Sequence, residues 1–346
     1  LKNLSGGRIE FSNSLSSAEV ETLAADSMLQ VLQTASPVAP RTWDLLNDQL
    51  FARRPDVELR VYGFCGTVCD LAFLPRLTNM RRFRADSLRQ ARGIEQVAAL
   101  DQLESLGVGI YELESFDFLE QLPTSTLRRL YLAATKSKKP SLAPLARFDH
   151  LRTLYLEGQQ KEIDVISHLS QLEDLALRSI TVRDFALVRG LSRLWSLDIK
   201  LGGTRNLSAL AEMSGLKYLE LWQVRGLDDI SVVSTLTGLQ FLFLQSLPQI
   251  RSIPDLSRLS SLRRIYLENL NGLEDIARVV SAPALEEFMH ASAEGMELDH
   301  YFELLKKPTL RRMWVGFGSV RKNEALRQLA EQAGIEEYQR SDFTFR

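Results

Sequence analysis

From Leu169 onward the chain repeats one phrase, Leu169, Leu172, Leu175 and Leu177 with polar residues between, and then Leu191, Leu194, Leu197 and Ile199. The phrase returns as Met213, Leu216, Leu219, Leu221, as Leu236, Leu239, Leu242, Leu244, and as Leu259, Leu262, Ile265, Leu267. Upstream, Phe148, Leu151, Leu154 and Leu156 keep the phase, and Leu100, Leu103, Leu106 and Val108 keep it more weakly. Aligned on the penultimate apolar residue, Leu59, Phe83, Leu106, Leu130, Leu154, Leu175, Leu197, Leu219, Leu242, Ile265, Phe288 and Met313 mark twelve units 21 to 25 residues apart. A period held over so much of the chain marks a repeat architecture, not a string of independent domains.

The phrase L-x-x-L-x-x-L-x-L encodes two conformations. Its last L-x-L alternates faces with period two, so it is a short strand. The apolar residues before it sit three apart and suit a tight helical turn. One unit cannot bury its own apolar side, whereas stacked units share one core and one parallel sheet. The expected fold class is therefore α/β, a right-handed solenoid curved like a horseshoe. It has one parallel concave β-sheet of about twelve strands and short helical turns on the convex side. At ~4.8 Å per strand the inner arc runs roughly 50 Å.

This pattern resembles the leucine-rich-repeat superfamily, and more narrowly the bacterial internalin-like and SDS22-like types with repeats of about 22 residues. The resemblance covers roughly residues 57–318. It implies the curved scaffold and no single activity. One departure is visible. Where many relatives place Asn after the strand, this chain has Ile180, Val224, Leu247 and Leu270, so apolar packing must hold that turn. Asp70, Ser141, Asp164, Asp184, Ser208, Asp229, Asp255 and Asp275 form another column. Their regular recurrence fits caps of the convex turns, because Asp and Ser oxygens accept free backbone N–H groups. A row of metal-binding carboxylates is the competing reading of that column.

A solenoid needs end caps. Ser16-Ser17-Ala18-Glu19 fits a capping box, and Val20, Leu23, Ala24, Met28, Val31 and Leu32 follow at helical spacing. A second helix with Trp43, Leu45, Leu46, Leu50 and Phe51 must stop near Pro55. The expected organisation is an N-terminal helical cap over 1–56, the repeats over 57–318 and a C-terminal cap over 319–346. That last cap contains a helix near Asn323–Ala333, closed by Gly334.

Composition narrows the function without naming it. Lys and Arg number 42 against 44 Asp and Glu, which gives no bulk pull toward nucleic acid or anionic membrane. No apolar run is long enough to span a bilayer. Cys65 and Cys69 do not make a disulfide framework, and they read as two buried or half-buried thiols in a cytoplasmic protein. Because the sequence starts at Leu1, removal of a secretory leader is the alternative. His150, His168, His290 and His300 lack metal-type spacing, and His290 falls on a core position of a degenerate repeat. Gly63–Gly66 and Gly202-Gly203 lack phosphate-loop spacing, and Lys136–Lys139 reads as a solvated loop.

The chemistry sits on the inner face. Residues flanking the strand leucines point to the concave side. The densest patch is Tyr218, Glu220, Trp222, then Phe241, Phe243, then Arg264, Tyr266, Glu268, with Tyr131, Tyr155 and Trp314 elsewhere on the same face. Trp, Tyr and Arg are the usual anchors of protein interfaces, and Glu220, Arg264 and Glu268 are expected as a polar rim. Stiffening of the sheet by cross-strand ring pairs is the plainer reading of the same residues. The inner face of the earlier unit, with Ser105, Gly107 and Gly109, offers little to grip. The chain thus reads as a non-catalytic protein-binding scaffold, monomeric when unbound, needing no cofactor or metal, and in the sharpest form a bacterial immunity or adaptor protein. A substrate-recognition module of a larger effector enzyme, or a carbohydrate-binding solenoid, are the alternatives.

Overall fold

Strands form where two apolar side chains flank one that must face the other way, and hydrogen bonds then match each strand to its neighbour in the next repeat. A computed structural model describes residues 1–346. The chain forms two units, Leu1–Leu172 and Glu173–Arg346.

In the first unit β1 (Lys2–Leu4) and β2 (Arg8–Glu10) make an antiparallel hairpin. From β2 the sheet continues in parallel through β3 (Val31–Thr34), β4 (Glu58–Tyr62), β5 (Arg82–Leu88), β6 (Ser105–Ile110), β7 (Arg129–Leu132) and β8 (Thr153–Glu157). Leu32, Leu59, Phe83, Leu106, Leu130 and Leu154 stand side by side. In the second unit the parallel strands are β9 (Asp174–Arg178), β10 (Ser196–Lys200), β11 (Tyr218–Trp222), β12 (Phe241–Gln245), β13 (Arg264–Glu268), β14 (Glu287–Ala291), β15 (Arg312–Val315) and β16 (Glu336–Glu337). Leu175, Leu197, Leu219, Leu242, Ile265, Phe288 and Met313 align there. Leu197, Leu219 and Leu242 are each 0% exposed, so the expected register holds within each unit.

The return paths are short 3-10 turns such as Ala186–Val188, Ser231–Thr235 and Ala277–Ser281. The polar column enters them as expected at six of its eight positions. Asp70, Ser141, Asp184, Asp229, Asp255 and Asp275 each accept the N–H two residues on, at 2.7–3.1 Å. Ser208 does not, because Asn206 stands two residues earlier and takes the Ser208 N–H itself at 2.8 Å. Asp164 lies inside its turn, Ile163–His168, where its carbonyl accepts from Ser167 Oγ. A second column has no counterpart in the sequence reading. One residue past the strand the backbone is left-handed, at Gly158, Ser179, Leu201, Gln223, Ser246, Asn269 and Ser292, with φ of 50–86°. This reversal drops the next residue inward, and Ile180, Val224, Leu247 and Leu270 are buried there.

The ends depart from expectation. Ser16 caps α1 (Ser17–Ala25) in a reciprocal capping box with Glu19. The helix stops at Asp26, whose carboxylate takes the Met28 N–H at 2.8 Å. Val31 and Leu32, expected on that helix, instead pair with β4 as strand β3, because a free sheet edge satisfies their backbone and buries Leu32. Residues 1–56 therefore hold three strands as well as helices. Helix α2 (Pro40–Leu45) widens into a π turn, Leu46–Phe51. Past the short α3 (Phe302–Leu305), α4 (Val320–Gln332) is capped by Ser319 and ends at Gly334, φ 76°. Cys69 is buried but Cys65 is exposed, against the expectation of two buried or half-buried thiols, and they are not bridged.

Candidate functional site

The residues before, between and after the core leucines form three rows across the second unit, on the sheet face turned away from the core. The first row runs Ser196, Tyr218, Phe241, Arg264, Glu287, Arg312. The middle row runs Asp198, Glu220, Phe243, Tyr266, Met289, Trp314, and the last runs Arg178, Lys200, Trp222, Gln245, Glu268, Ala291. Tyr218 and Phe241 meet edge to face, centroids 5.1 Å apart, and Phe243 and Tyr266 meet at 4.4 Å. Trp222 carries the Arg178 guanidinium 5.7 Å from its ring. Tyr218, Trp222, Phe241, Phe243 and Tyr266 are thus one half-buried cluster on three adjacent strands. Trp314 shares the middle row but stands two strands beyond Tyr266, with Met289 between them. Tyr131 and Tyr155 belong to the first unit, where their rings lie 6.4 Å apart.

Two residues expected on the rim are instead buried on that same face by their neighbours. Glu220 is only 6% exposed. It binds Lys200 at 2.9 Å and accepts the Tyr218 hydroxyl at 2.7 Å. Lys200 also holds Asp198 at 3.1 Å. One ammonium thus serves two carboxylates, and Asp174 stands nearby. Burial pushes Asp198 up to about 7, with the Glu220 charge adding to the rise and Lys200 opposing it. Burial likewise raises Asp174. Arg264 is 4% exposed, because Glu287 holds its Nε and the end of the chain covers it. Glu268 stays half-exposed, hydrogen-bonded to the Tyr266 hydroxyl.

Covering the first row is the segment after β16, which sequence reasoning assigned only to a cap. Phe343 packs on Phe241 at 5.4 Å and beneath the guanidinium groups of Arg263 and Arg264 at 4.6 and 4.9 Å. Phe345 packs on Trp195 at 5.1 Å and on Tyr218 at 6.1 Å. Between this segment and Trp222, Phe243 and Tyr266 remains a cavity of about 730 Å³. The available signal was the alternation Phe343-Thr344-Phe345 in an otherwise polar terminus.

Elsewhere, His290 is buried against the Tyr301 hydroxyl at 2.9 Å, and burial lowers it to about 4, as suits a core imidazole. No group of three or more His, Cys, Asp or Glu side chains is placed to hold a metal ion. No helix is long and apolar enough to cross a membrane.

Repeated parallel strands, 3-10 returns and an aligned leucine ladder define a leucine-rich-repeat solenoid. Among solved structures the chain is similar to an internalin, InlF of Listeria monocytogenes, at TM-score 0.62 and 23% identity over 89% of this chain and 86% of that one. It is also similar to the mouse RP105/MD-1 complex, at TM-score 0.58, 15% identity and 90% of this chain against 55% of that one. A TLR13–ssRNA13 complex follows at TM-score 0.53 and 15% identity, with 90% of this chain against 47% of that one. The chain spans about half the length of these last two. At such identities the likeness is one of fold, an internalin-like leucine-rich-repeat scaffold. No protein-family model and no curated protein matches the chain.

Proposed function

We propose that the protein is a non-catalytic scaffold that sequesters a protein partner on the concave face of its second unit, as a bacterial immunity or adaptor protein would. The observation that carries this reading is the cluster of Trp222, Phe243 and Tyr266. These are three half-buried rings on adjacent strands that line an open cavity and are not consumed by the core. Apolar area of this kind is the usual centre of an interface. The exposed, unbridged Cys65 fits a reducing, cytoplasmic setting.

The test places a photo-crosslinking residue at Phe243 and, as a control, at Ser231 on the opposite 3-10 turn, within the native host. The Phe243 site is expected to capture one protein that the Ser231 site does not. Trp222→Ala and Tyr266→Ala, verified as folded by circular dichroism, should then each weaken that protein's affinity by about thirty-fold or more. Wild-type affinity in both variants would leave the rings as sheet stiffeners.

A further inference from the structure

The segment over the first row is held in a manner unlike the rest of the chain. Residues 338–346 form neither helix nor strand. Apart from the Tyr338 N–H, which donates to the Met313 carbonyl at 3.1 Å, and Ser341 Oγ, which accepts from Arg264 at 3.2 Å, their polar contacts with the sheet side are made by side chains reaching for main-chain atoms. Arg264 donates to the Ser341 carbonyl at 2.9 Å, Arg263 to the Thr344 carbonyl at 2.5 Å, and Lys217 to the Arg346 carbonyl at 2.9 Å. Gln240 grips Arg346 twice, giving to its carbonyl at 2.7 Å and accepting its N–H at 2.9 Å. Beyond Ser341 Oγ, side-chain recognition falls to Phe343 and Phe345, two residues apart and half-buried, while Thr344 between them is exposed.

The path is that of an extended peptide. From Arg264 on β13 to Trp195, just before β10, the segment crosses three strand spacings, roughly 14 Å. Ser341 to Phe345 is four residues, roughly 13 Å when extended. Main-chain polar contacts combined with pockets for alternate side chains are a general way to bind a peptide. A piece of cap would bury its residues in the core. This one leaves four of its last six residues exposed.

We infer that the first row is a peptide site for an extended segment bearing aromatic side chains two residues apart, and that residues 341–346 are its built-in occupant, which a partner segment of the same chemistry must displace. This rests on the reading of the face as a protein-binding surface and adds the form of the ligand and its control.

The test uses a fluorescent peptide of residues 339–346, Gln-Arg-Ser-Asp-Phe-Thr-Phe-Arg, titrated into the full chain and into its Phe343→Ala/Phe345→Ala variant. The variant, with its own rings gone, should bind the peptide at least ten-fold more tightly than wild type. A peptide lacking both rings should not bind either protein. Should the double variant fail to fold, Lys217→Ala loosens Arg346, leaves every ring in place, and should admit the peptide at least three-fold more readily. Equal binding to wild type and to the folded variants, or no binding to them, overturns the inference. The titration does not need the partner, so the two readings fail separately. A peptide that does not bind, beside a partner that still depends on Trp222, removes only the built-in occupant. A peptide that binds, beside a partner indifferent to Trp222 and Tyr266, removes only the partner-binding reading.

Discussion

The two units share a ladder and differ in what they set on it. In the first, the middle row reads Gln33, Arg60, Arg84, Gly107, Tyr131, Tyr155. Its charges are paired among themselves, Arg60 with Asp86 at 2.7 Å and Arg84 with Glu58 at 2.9 Å, while Tyr62 donates to Glu10. Gly107 has a use beyond lacking a side chain. A Cβ there would lie 2.9 Å from Arg84 Cγ, and its absence lets Arg84 lie across the strand to the Tyr131 ring, 5.0 Å away. In the second unit the equivalent places carry Phe243 and Tyr266, with two carboxylates crowded on one lysine beside them. The leucines decide that there is a sheet. The single residue between them decides whether its face is closed by its own ion pairs or presents apolar area for something else to cover.

If the ladders are equivalent, equivalent core truncations must hurt equally. Leu130→Ala in the first unit and Leu219→Ala in the second, both from fully buried sites, are each expected to cost about 2–5 kcal/mol in urea unfolding. A loss confined to one of them would break the equivalence.

The faces should differ in their response to pH. Asp198 has a folded value of about 7, above its unfolded value near ~3.9. A raised value means that the folded state holds the proton more tightly. The stabilisation is therefore complete below the unfolded value and is lost as pH rises through the folded one. Between pH 5 and 8 the second unit should lose on the order of 1–3 kcal/mol from this group. Asp198→Asn should flatten that dependence and gain stability at pH 8, since Lys200 keeps Glu220 as its partner. In the first unit, Glu10 is held below its ordinary range by the Tyr62 and Gln33 hydrogen bonds, so its contribution is kept above the unfolded value and lost only on acidification. Hydrogen exchange resolved along the chain separates the two. An identical pH profile in wild type and Asp198→Asn would refute the assignment.

The smallest effect is expected at Gly107→Ala. The clash falls on Arg84 Cγ, so the whole side chain must shift against its Glu58 pairing, and the cost should be about 1–2 kcal/mol, the scale of a partly desolvated cation–π contact. Unchanged stability and an unchanged Tyr131 environment by NMR would show that Arg84 does not need the glycine.

Legibility in the sequence followed periodicity. Every ladder position from Leu59 to Met313 was readable because core leucines obey a local rule that recurs. Strand β3 was not, since Val31 and Leu32 follow α1 closely and their spacing also suits a helix. The free edge of β4 decides between them. The aromatic rows were readable as residue types, but the burial of Glu220 and Arg264 on that face was not. Their partners come from other repeats or from the chain end, Lys200 one strand away and Ser341 at 77 residues' separation. Long-range pairing carries no periodic signature.

The tail over the first row has a quantitative consequence for any competitor. It is tethered through Tyr338, which is itself buried near Arg264, and a short tether holds its end at an effective concentration in the millimolar range. A free peptide with only the tail's own contacts would need comparable concentrations to take its place. A ligand acting at cellular, micromolar levels must therefore gain roughly a thousand-fold, or about 4 kcal/mol, from contacts the tail does not make. The rings of Trp222, Phe243 and Tyr266 across the 730 Å³ cavity are the adjoining surface available for them. The tether thus acts as an affinity threshold, passing ligands that read beyond the first row and turning away those that read it alone.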